Sequence, residues 1–172
     1  MPVTIRAVLD PAAQARADAV LAELEGKLAR PAAGLKLVGE ALLREQNRRF
    51  QSQPDPDGRP WQALAPLTVE SRGGAKGPIL RRSGQLMRSG AYQVSGATLR
   101  IGLNTIYAAV QQFGATITPK KARRLMIPMP GGRVVGAARV TIPARPIVGF
   151  GAKDEEAARG AIEDWLAVVT GR

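Results

Sequence analysis

Cysteine and histidine are both absent from this chain. Without cysteine there is neither a disulfide framework nor a thiolate metal site. Without histidine the commonest general base and the commonest metal ligand are missing, and Ser-His-Asp and Cys-His catalytic sites are excluded. Aromatic residues make up only 4% of the sequence, so its core must be built from Leu, Val, Ile and Ala. No run of about 18 apolar residues occurs, which argues against a membrane-spanning helix. The opening stretch Met1 to Asp10 lacks a basic start followed by an apolar block, which predicts no signal peptide. Together these features predict a protein made and kept in a cytoplasm, or in something assembled there.

Acidic residues are missing from one long stretch. Between Ser71 and Lys153 there is no Asp and no Glu, while fourteen Lys and Arg fall within it. The remainder of the chain carries a net charge of −3, so the whole formal charge of +11 originates in the middle. A chain so basic is attracted to polyanions. Its 172 residues suit one domain. A domain of that size buries roughly 70% of its unfolded surface, enough for a real core.

Periodicity divides the chain into an N-terminal part (1–52), a strand-rich basic middle (53–150) and a C-terminal helix (151–172). Val3 to Leu9 alternates as a short strand does, and Asp10-Pro11 reads as the start of a helix with Ala17, Val20, Leu21, Leu24 and Leu28 on one face. A second helix is expected from Pro31 or Ala32 to about Gln51, weakened by Gly34 and Gly39. Gln53 to Pro60 is a turn cluster, followed by Trp61. Ile79 to Ser89 reads as a short helix. Ala91 to Val94 and Ala97 to Leu103 read as a hairpin around Ser95-Gly96, with Leu99, Ile101 and Leu103 on one face. Tyr107 to Gly114 is a helical turn. Leu125 to Met129 and Arg133 to Ile142 read as two strands joined around Pro130-Gly131-Gly132, forming an arm over 118–142. Asp154, Glu155 and Glu156 stand at the positive end of a terminal helix. The expected fold is α+β, a small antiparallel sheet with flanking helices and an extended basic β-hairpin arm.

No catalytic constellation emerges. Asp55 and Asp57 lie two apart in a loop but lack the further oxygen ligands a calcium loop requires. The glycines of Arg72 to Gly77 lack phosphate-loop spacing. The sequence therefore predicts no metal, no cofactor and no enzyme. Lys120, Lys121, Arg123 and Arg124 form a basic knot beside Pro119, and Arg133, Arg139 and Arg145 extend the charge along the chain. These seven are the expected contacts to a neighbouring subunit, a partner protein or passing DNA. Sequence-independent contact to a duplex needs Lys and Arg rather than base-reading groups.

The order of several short motifs carries more. Arg49-Phe50 precedes Pro54-x-x-Asp57-Gly58-x-x-Trp61, then Ile79-Leu80-x-x-Ser83-Gly84-x-Leu86, Gln112-Phe113-Gly114, and Ile142-Pro143-Ala144-Arg145-Pro146-x-x-Gly149 before the terminal helix. This ordered set, over roughly residues 35 to 170, resembles the phage virion morphogenesis family, which includes tail completion proteins of Mu-like and P2-like tailed phages. Gln111 stands where many relatives have a histidine. The resemblance implies a structural role at the head-proximal end of the tail or the head–tail junction. It further implies a homo-oligomeric ring, a hexamer being one candidate, in contact with other tail or neck and connector proteins, with non-specific contact to passing DNA and none to membrane. The expected location is the virion, assembled in the bacterial cytoplasm. A free, sequence-independent nucleic-acid-binding protein is the alternative reading. Trp61, Phe113, Gly114, Pro143, Pro146 and Trp165 are expected to be structural, with both indoles buried and Trp165 covering the sheet.

Overall fold

A computed structural model describes residues 31–74 and 77–171, together with scattered positions between 12 and 29. The strand expected at Val3 to Leu9, most of the first helix's apolar line, and Lys76 lie outside the described residues. Leu21, the described member of that line, is exposed.

Helix α1 spans Ala32–Ser52. Its buried positions include Gly34, Val38, Ala41, Leu42, Glu45, Arg49 and Phe50, spaced three, four or seven apart as one helical face requires. The helix ends at Gln53, whose φ of 64° turns the chain and whose N–H donates to Arg49 O. Helices α2 (Pro66–Ser71), α3 (Gln85–Arg88) and α4 (Ala108–Phe113) are short. Helix α5 (Ala152–Thr170) packs along α1, with Ala158 and Ala161 buried between the two.

Among the described residues the antiparallel pairing is distributed over three two-stranded ribbons rather than one sheet. Strands β1 (Gly90–Ser95) and β2 (Thr98–Leu103) pair with Tyr92 opposite Ile101 and Val94 opposite Leu99. Strand β3 (Ala115–Ile117) pairs with β6 (Val140–Ile142), and β4 (Leu125–Pro128) with β5 (Val134–Ala137). The strand expected from Arg133 to Ile142 is thus broken at Ala138-Arg139: its first half closes the arm and its second half joins β3 at the arm's root. As expected, Leu99, Ile101 and Leu103 share the inward face of β2. The first two pack on the α1–α5 core and the third on a second core of Phe50, Trp61, Leu86, Ala108 and Ile147.

Two sequence expectations change. Ile79 to Ser89 is helical only over Gln85–Arg88, because Leu80 (φ 60°) and Gly84 (φ 72°) both take left-handed conformations. Ile79, Leu80 and Met87 still pack on the second core. The other change concerns Trp165. It is half-buried and lies over α1 at Gly34, where an added Cβ would come within 2.7 Å of the indole, so it does not cover a sheet. Gly39 answers to Tyr92 in the same way, with a Cβ there 2.5 Å from the phenol ring. The two glycines that weaken α1 locally are the places where aromatic rings lie directly against its backbone.

Candidate assembly surface

The ordered motifs converge on one clamp. Arg49, at the end of α1, donates Nη1–H to Ile147 O at 2.9 Å, and its Nη2 pairs with the Asp154 carboxylate. Asp154 is the third residue of α5, and its Oδ2 also accepts the Gly151 N–H at 2.9 Å, capping the helix. One buried ion pair thus ties the end of one long helix to the start of the other. Phe50 next door is fully buried and meets Trp61 edge-on, with ring centroids 5.9 Å apart. The Trp61 indole N–H donates to Pro146 O at 2.8 Å, so the expectation of a buried Trp61 holds.

The turn from Pro54 to Pro60 is fixed by Asp55, which accepts the Arg59 N–H through Oδ1 and receives Gly58 N–H on its carbonyl. Its Pro56 presses against the chain that enters α5. A Cβ on Gly149 would sit 2.5 Å from Pro56 Cγ, and one on Gly151 only 1.8 Å from Pro56 O. The glycine three places beyond Pro146 is therefore demanded by the proline of the turn.

Gln112 closes the far side of the clamp. Its Oε1 accepts the N–H groups of Ile147 and Val148 at 2.8 and 3.0 Å, and its Nε2 donates to Val148 O at 2.7 Å. The amide thus serves as a short stand-in for a strand partner. Gly114, at φ 73°, lets the chain pass 2.9 Å from Ile142 O, measured from where a Cβ would be. Pro143 and Pro146 hold this segment extended between them. Phe113, expected to be structural, instead points outward and is 79% exposed.

The seven cations expected at a surface divide into three kinds. Arg145 is 6% exposed and belongs to the clamp. Its Nε donates to Gln62 O at 2.8 Å and its Nη2 to Ala63 O at 3.0 Å, while its backbone N–H donates to Gln111 O. Burial, and secondarily the charge of Arg72, push this guanidinium below its usual range. Arg145 is therefore an internal staple, and its burial removes it from the set facing a partner. Arg133, at the tip of the β4–β5 arm, pairs with Glu70 of α2 in the same subunit. Both side chains are more than half exposed, so the latch contributes about 0.2–1 kcal/mol. The remaining five, Lys120, Lys121, Arg123, Arg124 and Arg139, are exposed and make no ion pair among the described residues.

The arm itself is apolar. Leu125, Ile127 and Val135 face inward, whereas Met126 is 68% exposed and Val134 and Pro128 are exposed beside it. Each strand of a two-stranded ribbon leaves one backbone edge unpaired, an arrangement that on its own is marginally stable at best. A basic root and an apolar, open-edged blade make a segment suited to joining a second surface. Sequence reasoning missed the exposed Ile106, Phe113 and Phe150, since apolar residues in a short helix or loop carry no sign of which way they face. It also missed the groove between α1 and α5, of about 1110 Å³, which six carboxylates line. No cluster of metal-ligating side chains occurs among the described residues, and none of their helices is long and apolar enough to cross a membrane.

A family model described as the phage virion morphogenesis family matches residues 12–167. The protein named "Putative capsid assembly protein G" of Escherichia phage Mu is 31% identical over 135 residues, which are 76% of this chain and 76% of that one. No solved structure matches.

Proposed function

The chain belongs to the phage virion morphogenesis family, and from that premise we propose that it is a structural virion protein. In this reading it assembles as a ring at the head-proximal end of the tail or at the head–tail junction. Its role in phage morphogenesis follows from the family, and the relative's printed name points the same way by assigning it to capsid assembly. The family is one of structural and assembly proteins, which argues for a non-enzymatic role.

One observation carries the finer reading. The motif residues Arg49, Phe50, Trp61, Gln112 and Arg145 are consumed in holding the subunit together, while Lys120, Lys121, Arg123 and Arg124 stand exposed, with no ion pair among the described residues, at the root of an apolar arm. Copies arranged in a ring multiply the repulsion among these charges. Separated exposed charges are screened beyond about 8–10 Å, so the repulsion matters where they converge on an interface or a channel. An anionic counterpart, protein or DNA, compensates them there.

The test is reversal of all four to Glu. Each side chain is exposed, so the isolated subunit should keep its stability to within about 0.5 kcal/mol. Electron microscopy of lysates should show heads and tails that fail to join. Joined, infectious particles at normal yield would reduce the basic middle to a solvated surface. Tight, salt-dependent DNA binding by a monomer that never enters particles would favour the free nucleic-acid-binding alternative instead.

A further inference from the structure

We propose that the groove between α1 and α5 is the docking surface for the basic-rooted β4–β5 arm of a second copy of this chain, so that each subunit offers an arm and receives one. The inference rests on the ring reading above and names the contact that would build the ring.

The argument starts from where the carboxylates are. Between residues 31 and 171 there are ten, and six of them, Glu40, Glu45, Asp55, Asp57, Glu156 and Asp164, line this one groove. Four basic side chains share it, but Arg49 is committed to Asp154 and Arg48 to Glu45. Asp57 is likewise paired with Arg59, at 3.7 Å, which leaves Glu40, Asp55, Glu156 and Asp164 beside Arg44 and Lys153 with no ion pair among the described residues. On the acid-free stretch, by contrast, the four cations of the arm's root make no ion pair among the described residues. The two surfaces therefore match in charge, and each keeps charges without an ion pair among the described residues.

They also match in polarity. The groove includes Leu37, which is exposed on α1, and the partly exposed Ala157 of α5, with Gly160 beside it. The exposed side chains of the arm's two paired strands are Met126, Pro128 and Val134, none of them charged, and the one cation at its tip, Arg133, is held by Glu70. An uncharged blade against apolar residues, with cations meeting a carboxylate rim, follows the usual anatomy of an interface.

Charge also excludes one arrangement. A two-fold contact of arm against arm would bring two basic knots together. Arm-to-groove contact avoids this, and repeated head-to-tail it generates a ring when the rotation closes.

Gly160 supplies a clean probe. A Cβ there meets nothing within 4 Å among the described residues, so Gly160→Leu sends its side chain into the groove with no clash at its first carbon. Leucine is also the better helix former, so the thermal midpoint of the variant should hold or rise. The absence of cysteine supplies a second probe, with single-cysteine variants Lys121→Cys and Asp164→Cys. Mixed under mild oxidation, the two should form a mixed disulfide well above either variant alone, and Gly160→Leu on the Asp164→Cys chain should abolish it. In a third probe, reversing the arm's four cations to Glu, or Glu156 and Asp164 to Lys, should each reduce association of the purified protein in sedimentation by at least tenfold. Combining the two reversals should restore it.

Homotypic disulfides as abundant as the mixed one, no mixed disulfide, or no rescue by the combined reversal would overturn the proposal. So would loss of association from the arm reversal alone, with the groove variants inert, which would assign the arm to DNA or to another protein. The ring reading fails on a separate observation, the absence of multiple copies of the wild-type chain from purified particles. The two failures are therefore distinguishable.

Discussion

The clamp and the arm use the same side chain to opposite ends. In the clamp, Arg49 and Arg145 are buried, and their guanidinium groups are taken up by a carboxylate and by backbone carbonyls of distant segments. In the arm, Arg123 and Arg124 lie on the surface with no ion pair among the described residues. A charge buried in a subunit has to be matched there, because removal from water costs several kcal/mol. A charge left at the surface costs little and remains available. Burial, then, separates the cations that hold this subunit from those that serve something outside it.

The comparison breaks first at Asp154. Changing it to Ala leaves Arg49 buried without its counter-charge and removes the cap on the Gly151 N–H. The expected loss is about 3–5 kcal/mol, read from urea unfolding. The arm reversal described above should move the same midpoint hardly at all. If the two variants are equally destabilised, the division into holding and serving cations is wrong.

The two tryptophans sharpen the same contrast inside the fold. Trp61 is buried in the second core and hydrogen-bonded, so Trp61→Ala should cost about 3–5 kcal/mol. Trp165 is only half-buried over Gly34, so Trp165→Ala should cost clearly less. Iodide should quench the Trp165 indole in the native protein and leave Trp61 largely protected. Equal quenching of both would contradict the burial assigned to Trp61.

A smaller effect separates two helical glycines. Ala normally gains about 0.5–1 kcal/mol over Gly in a helix interior. Gly160→Ala should show that gain, since the new methyl meets nothing. Gly39→Ala should instead lose about 1–3 kcal/mol, since its methyl would press on the Tyr92 ring. Circular-dichroism melts of the pair decide it, and a common sign for both would remove the ring-on-backbone account of Gly39.

How much of this could be read beforehand follows from the same contacts. The amphipathic faces of α1, β2 and α5 were legible because periodicity reports burial directly. The clamp was visible only as an order of motifs. Asp154 and Ile147 both lie about a hundred residues beyond Arg49, and nothing local to Arg145 shows that it reaches back to Gln62 and Ala63. For that reason Arg145 read as one more surface cation. Gly34 and Gly39 read as weak points, since helix propensity counts the cost of a glycine and not the ring that lies against it. The break between β5 and β6 was hidden because two short strands in succession look like one long strand when their partners are unknown.

The smallest effect concerns the rim of the groove and the hairpin beside it. Tyr92 donates its O–H to Glu40 Oε1 at 2.9 Å, and this bond to a carboxylate, before any other influence, raises the phenol above its ordinary value of 10.0. The phenol is neutral when it donates, so ionisation breaks the bond and sets two negative charges together. A group whose folded value exceeds its unfolded one stabilises the fold fully below the unfolded value. That stabilisation is lost as pH rises through the folded value, so the hairpin's hold on α1 should weaken only above about pH 10. The chain has two tyrosines, and Tyr107→Phe isolates the signal of Tyr92 in an ultraviolet titration. In that background Glu40→Ala should bring the midpoint back down toward 10, because it removes the accepting oxygen, the first cause of the shift, together with the negative charge. The ring's contact with Gly39 does not depend on Glu40, so the melting temperature at neutral pH should stay nearly constant. A midpoint unmoved by Glu40→Ala would mean that the phenol answers to its burial against the helix and not to the carboxylate. Glu40 would then be free to meet an incoming cation at the rim.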